Sequence, residues 1–263
     1  MLILPFIENP ANLMDNLKKI WSEHYLVHWY DTDINGRIKM SAIANYLQET
    51  AWRHANHLGF GYEDAVKRNE FWVIVSLMIK MVGSPGWGQT ITVETWPKGI
   101  DRLFAFRDFK IMSSDGTVIG AATSTWMILD QATRRPKSVD IVRPVLHLAT
   151  HQDILEGNPP FLEPLIEIAT SETRKVRFSE VDQNGHVNNI RYIDWCLDAL
   201  SPEWHGTHEI NSMVINYLSE VRADETILIA SGPDHEQSHL FQGAREDGKA
   251  IFRARFDCDW EIG

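Results

Sequence analysis

Cysteine is scarce. Two residues, Cys196 and Cys258, among 263 positions cannot form the disulfide framework of a small secreted domain, so a reducing cytoplasm is the expected setting. No apolar run approaches the roughly 18–20 residues that a membrane helix needs, so no membrane span is expected. The opening MLILPFIENP is apolar but short, lacks a basic region and contains Pro5, and it does not read as a signal peptide. Positive charge is also in deficit: 25 Lys and Arg face 36 Asp and Glu, for a net charge of −11. A field of that sign repels nucleic acid and anionic membrane, and neither is an expected partner. His147 and His151 stand at i, i+4, but no cysteine or Glu-x-x-His pattern supports them. No metal and no cofactor is therefore expected.

What is present is a globular composition, 44% hydrophobic and 23% charged, which rules against a disordered chain. It carries an internal repeat. Asp33-Ile34-Asn35-Gly36-Arg37 returns 149 positions later as Asp182-Gln183-Asn184-Gly185-His186. A helical stripe follows each copy. The first is Ile43, Leu47, Ala51, His54 and Leu58, stopped by Gly59; the second is Val187, Ile190, Ile193, Leu197 and Leu200, stopped by Ser201-Pro202. Runs of alternating β-formers come next in both halves. Asp115-Gly116 and Asp247-Gly248 mark hairpin turns, because such turns need positive φ. The order in each half is strand, loop, helix, then about four antiparallel strands. A long helix buries its apolar stripe against a curled sheet. The expected fold is α+β, a tandem pair: an N-terminal unit over 1–150, and a linker with a C-terminal unit over 151–263. Pro159, Pro160 and Pro164 favour an extended surface linker near Leu148 to Ser171.

Several segments together resemble one family. They are Asp182-x-Asn184-x-His186-Val187-Asn188-Asn189, Tyr217-Leu218-Ser219-Glu220, Ile43-Ala44-Asn45-Tyr46-Leu47-Gln48-Glu49, Glu94-Thr95-Trp96, and Ser124-Thr125-Trp126 running into Asp130-Gln131-Ala132-Thr133-Arg134-Arg135. The chain is similar over Glu23 to Trp260 to the acyl-acyl-carrier-protein thioesterases, the plant plastid enzymes and their bacterial relatives. The resemblance implies a double hotdog fold, hydrolysis of acyl thioesters to free fatty acid, acyl carrier protein as partner, and functional roles for Asp182, Asn184, His186 and Glu220. Val221 stands where the plant members carry a cysteine, so a cysteine nucleophile at that position does not apply here.

The residue types suit that chemistry. Thioester hydrolysis needs an activated water, a donor for the oxyanion and a dry slot for the acyl chain. A general base contributes roughly 10²–10⁴ in rate and an oxyanion donor roughly 10²–10³. Asp182, Asn184 and His186 alternate just before a helix, whose N-terminus offers backbone N–H groups and partial positive charge. The expectation is that Gly185 admits the substrate close to the backbone, Asn184 donates to the carbonyl or positions the water, and Asp182, His186 and Glu220 share its orientation and deprotonation. Which of the three is the base stays open. Arg37 replaces His186 in the first copy, and Ser84 falls where Glu220 would be. Arginine is no base near pH 7, so one active site per chain is expected. The first half would shape the acyl pocket with Trp52, Phe71, Trp72, Met78 and Trp87. A carrier protein is strongly acidic, so docking it needs a local basic patch, for which Arg134, Arg135, Lys137 and Arg143 are the candidates.

Blander readings stand beside these. Asp-x-Asn-x-His before a helix also makes a turn and an N-cap. Thr133 to Lys137 also reads as a solvated turn. Cys196, close to an apolar stripe, reads as packing. Coenzyme A as the carrier, a non-catalytic acyl-binding module and a hotdog hydratase are the competing functions. A fused pair already satisfies the interface that single hotdogs meet by dimerising, so a monomer or a homodimer is expected.

Overall fold

The computed structural model describes residues 17–148, 153–235 and 238–260. His151 lies outside them, and the side chain of His147 is likewise not described, so the structure does not bear on that pair. The first half runs β1 (Trp21–Leu26), a 3-10 turn (Trp29–Asp31), α1 (Met40–His57), α2 (Tyr62–Lys67), β2 (Glu70–Met81), β3 (Thr90–Asp101), β4 (Phe104–Ser113), β5 (Val118–Asp130) and the two-residue β6 (Pro136–Lys137). The second runs β7 (Thr170–Lys175), a 3-10 turn (Phe178–Glu180), α3 (Asn189–Asp198), α4 (Pro202–Thr207), β8 (His208–Tyr217), β9 (Thr226–His235), β10 (Ser238–Arg245) and β11 (Ala250–Trp260). Each half thus has the leading strand, helix and four following strands that the sequence suggests, with β1 and β7 at the sheet edges.

All pairings are antiparallel, and the described strands form one sheet in the order β1-β3-β4-β5-β2-β8-β11-β10-β9-β7, with β6 on β5. The two halves meet where β2 pairs β8, from Ser76 opposite Asn216 to Lys80 opposite Ser212. α1 and α3 pack against each other. Ile43, Leu47 and Ala51 of α1, Ile193 and Trp195 of α3, and Ile79, Ile91, Phe109, Phe252 and Phe256 of the strands belong to one core that spans both halves. Gly59, at φ +80°, ends the first helical segment as expected. The second ends differently: α3 stops at Asp198, and Ser201 caps a new short helix with Pro202 in its first turn. Proline blocks a helix interior but suits a helix start.

A repeated lock ties each helix to the turn before it. Tyr46 Oη donates to Asp31 Oδ2 at 2.6 Å, and 149 positions later Trp195 Nε1 donates to Glu180 Oε1 at 2.8 Å. The same acids accept backbone N–H groups from His28 (3.0 Å) and Arg177 (2.6 Å). The linker crosses the outer face of the β2–β8 seam. There Leu162 packs with Met78 and Val214, and Asn216 accepts from Leu162 N at 2.7 Å and donates to Pro160 O at 3.0 Å. The architecture is the double hotdog that the sequence implied.

Candidate active site

The motif turn is built from its own backbone. Asp182 N donates to His186 O (2.9 Å), Gly185 N to Asp182 O (3.0 Å) and Asn184 N to Asp182 Oδ1 (2.8 Å). Gly185 sits at φ +75°, a conformation that disfavours any Cβ, and open space surrounds the point where a Cβ would stand. The first copy closes the same turn: Asn35 N and Arg37 N both donate to Asp33 Oδ1, at 2.8 and 3.0 Å.

One backbone bond brings the distant carboxylate in. Val187 N donates to Val221 O at 2.8 Å, which sets the neighbours His186 and Glu220 side by side. His186 Nε2 lies 3.3 Å from Glu220 Oε2, with His186 mostly buried and Glu220 half-exposed. In the first half Ile38 N donates to Pro85 O at 3.0 Å, so Ser84 is the counterpart of Glu220, as the repeat implied. Arg37 there turns to Glu209 Oε2 of the other half, 3.6 Å away.

Two arginines that the sequence did not assign to this pair hold Glu220. Arg245 donates through Nη1 to Ser219 Oγ (2.9 Å), through Nε to Glu225 Oε2 (2.9 Å) and through its guanidinium to the Glu220 carbonyl. Arg134 Nη2 donates to Glu220 Oε2 from the first half. Arg134 has φ +59°, which costs a non-glycine residue on the order of 1–3 kcal/mol and persists only where its surroundings over-determine it. The β5–β6 turn does so. Asp130 Oδ1 accepts from Ala132 N, Thr133 N and Thr133 Oγ1, and Arg134 N donates to Asp130 O at 2.9 Å.

The basic patch is therefore largely committed. Lys137 pairs with Glu70 (2.8 Å) and Arg143 with Asp140 (2.6 Å), while Arg134 pairs with Glu220; Arg135 is exposed. Burial pushes the Glu70 carboxyl up, but Lys137 and Arg68 more than offset this and leave it below its ordinary value.

Two hollows flank the motif. An open polar cleft is lined by Asn45, Ser179, Glu180, Val181, Asp182, Asn188, Ile190 and Arg191. A largely apolar cavity under α1 is lined by Ala44, Leu47, Gln48, Ile74, Leu77, Phe109, Ser124, Trp126, Ile190 and Tyr217. Ile190 belongs to both walls. Gln48 Oε1 and Tyr217 Oη, on residues lining the cavity, are buried without a hydrogen-bond partner among the described residues. Each such atom costs about 1–3 kcal/mol unless a ligand or water reaches it.

None of the five pocket residues expected from sequence lines this cavity. Trp52 and Trp87 are exposed, and Trp87 packs edge-on to Trp29. Trp72 donates to Phe60 O at 3.0 Å, Phe71 lies under the Arg134 guanidinium at 4.5 Å, and Met78 faces the linker. Strand alternation is the reason, since Leu77 reaches the cavity and its neighbour Met78 points to the opposite face. The helix N-terminus is also less open than expected. Asn188 caps α3 by accepting from Ile190 N at 3.0 Å, and Val187 N, Asn188 N and Arg191 N are bonded to Val221 O, Glu180 O and Asn188 O. The exposed Asn184 amide remains as a side-chain donor beside the turn. Cys196 is fully buried and burial pushes its thiol well up, which fits packing.

The fold and this site together define a double-hotdog thioester hydrolase. Residues 18–143 match the family model of the acyl-ACP thioesterase N-terminal domain, and residues 165–259 match that of the C-terminal domain. The chain belongs to the acyl-ACP thioesterase family. It is 30% identical to the chloroplastic oleoyl-acyl carrier protein thioesterase 2 of Arabidopsis thaliana, over 89% of this chain and 75% of the relative. It is 28% identical to a chloroplastic palmitoyl-acyl carrier protein thioesterase of Cuphea hookeriana, over 90% of this chain and 61% of that longer protein. The crystal structure of an acyl-ACP thioesterase from Bacteroides thetaiotaomicron superposes with a TM-score of 0.84 at 26% identity, covering 92% of this chain and 98% of that one. A 12:0-ACP thioesterase from Umbellularia californica shares the fold, with a TM-score of 0.83 at 22% identity over 92% and 98% of the two chains.

Proposed function

We propose that the chain hydrolyses the thioester of an acyl chain carried on acyl carrier protein and releases the free fatty acid, at one site per chain in its second half. The observation that carries this reading is the His186–Glu220 pair on the turn whose Asp182 lines a polar cleft, a cleft that shares its Ile190 wall with an apolar cavity. The cavity as it stands is smaller than an acyl chain, so the chain enters by parting α1 from the sheet along its apolar lining, and the thioester lies at the cleft. His186 takes a proton from a water that Glu220 helps to orient, and the water oxygen attacks the thioester carbonyl carbon. The Asn184 amide donates to the developing oxyanion, and the positive end of α3 adds to that stabilisation. Asp182 acts chiefly by fixing Asn184, since its Oδ1 already accepts the Asn184 N–H. The C–S bond then breaks, and the departing sulfur takes the proton back from His186. Arg37 stays protonated near pH 7 and cannot accept a proton from water, so the first copy does not turn over. The expected setting is the cytoplasm, and the described residues include no helix long and apolar enough to cross a membrane. Of the four candidate cations, Arg135 is the exposed one not drawn into an acidic side chain among the described residues, and it offers an acidic carrier a contact.

The test is thiol release from acyl chains on carrier protein and on coenzyme A. His186→Ala and Glu220→Ala should each lower kcat by at least about tenfold with folding intact, and Arg37→Ala should leave it within a few-fold. A near-normal kcat for either of the first two removes that residue from the mechanism. Abolished turnover in Arg37→Ala would sink the one-site reading, and a preference for coenzyme A esters would reassign the carrier.

A further inference from the structure

The first half does more than cover the acyl chain. We propose that Arg134 is a positioning residue, supplied by the first half, that holds Glu220 against His186. The inference rests on the His186–Glu220 reading above.

Three independent features aim the Arg134 side chain. Its turn is fixed by Asp130, whose Oδ1 accepts three bonds and whose backbone N–H donates to Arg135 O at 2.9 Å. Its backbone adopts a left-handed conformation that an ordinary solvated turn has no need to place on arginine. Its guanidinium lies over the Phe71 ring, 4.5 Å from the centroid, and Phe71 pairs in register with Leu129 just before that turn. At the far end Nη2 reaches Glu220 Oε2, the same oxygen that faces His186 Nε2. An exposed ion pair adds little to stability, so a stabilising role does not account for this construction. A guanidinium held over a ring is directed in a way that a free lysine is not. The opposite side of the Glu220 backbone is held by Arg245. The carboxylate is thereby fixed from both halves, and the catalytic pair is complete only when the two halves are docked. The motif Thr133-Arg134-Arg135 then divides its labour, with Arg134 turned to Glu220 and Arg135 facing solvent.

The test uses the full chain with Arg134→Met, Arg134→Lys, Glu220→Gln and the double variant Arg134→Met/Glu220→Gln, checked for folding by circular dichroism. Substrates are acyl-carrier protein and a small acyl thioester of the same chain length. Arg134→Met is expected to lower kcat about tenfold on both substrates with KM within about threefold, and Arg134→Lys to recover part of the loss. Because Arg134 acts through Glu220, its removal from the Glu220→Gln background should cost less than about twofold more. An unchanged kcat, a KM increase confined to the carrier-protein substrate, or a full additional loss in the double variant overturns the proposal. If Arg134→Met does not fold, the lysine variant decides, because wild-type kcat and KM there leave no role for the directed guanidinium. Failure of the underlying reading is separately visible, as undiminished kcat in His186→Ala and Glu220→Ala.

Discussion

Trp195 Nε1 donates to Glu180 Oε1 at 2.8 Å, beneath the turn that carries the Asp182–His186 motif. Glu180 is nearly fully buried and is also bonded to Arg177 N (2.6 Å) and Arg174 Nη2 (3.0 Å). Burial alone would raise its pKa, but these three donors outweigh it and hold the carboxyl below its ordinary value. A depressed carboxylate contributes stability that is present above its unfolded value of about 4.5 and is lost as pH falls through the folded value. Glu180→Ala should therefore cost about 1–3 kcal/mol, because it leaves the Trp195 and Arg177 N–H groups without their acceptor, while Arg174 keeps Asp198. Glu180→Gln should cost less and should flatten the acid limb of a stability–pH curve. Thermal melts between pH 3 and 7 check this, and an unaltered acid limb in Glu180→Gln would dismiss Glu180 as its source.

His54 supplies a second and earlier acid sensitivity. It is fully buried in α1, and its Nδ1 faces Arg107 Nη1 at 3.0 Å while Nε2 faces Lys18 O at 3.0 Å. A guanidinium only donates and a carbonyl only accepts, so the ring is neutral with its proton on Nε2. Burial, then the Arg107 charge, pushes its pKa down from 6.5 to about 3. In that window the unfolded chain binds a proton that the folded chain refuses, so stability is intact above about 6.5 and falls with pH toward 3. Each unit is worth up to about 1.4 kcal/mol. His54→Gln keeps an acceptor and a donor but cannot titrate. It should lose overall stability yet show a shallower decline from pH 6.5 to 5, and an equal slope in both proteins would refute the assignment.

These two networks show what was legible in the sequence and what was not. The repeat offset of 149 residues located the motif turns, and matching the strands that follow, Thr90 with Thr226, made Ser84 the counterpart of Glu220. Applied two residues upstream, the same offset pairs Asp31 with Glu180, and fifteen residues further it pairs Tyr46 with Trp195, so both locks were within reach of the sequence. The cavity lining was not. Whether Leu77 or Met78 faces the helix depends on register, and a slip of one residue exchanges the faces. Size alone suggests large tryptophans as pocket walls, but Trp52 and Trp87 sit outside the core. The Arg134–Glu220 contact is not legible for a different reason: 86 residues separate the two, and they meet through the docking of the halves, to which the β2–β8 seam contributes.

Chain-length selection should reside in the cavity under α1. Ala44 and Leu47 of the helix face Ile74, Leu77, Phe109 and Trp126 of the sheet across it, so a larger side chain on either wall shortens the slot. Each methylene denied burial forfeits about 0.8 kcal/mol, or roughly fourfold in kcat/KM. Ala44→Phe should thus leave short acyl thioesters within a few-fold of wild type and depress long ones progressively, by roughly fiftyfold once three methylenes are excluded. The profile of kcat/KM against chain length on carrier-protein substrates is the measurement, read alongside a melting curve, because overpacking a core typically costs about 1–3 kcal/mol. A uniform fall at every chain length would mean that the cavity is a packing defect of the first half, with the acyl chain bound elsewhere.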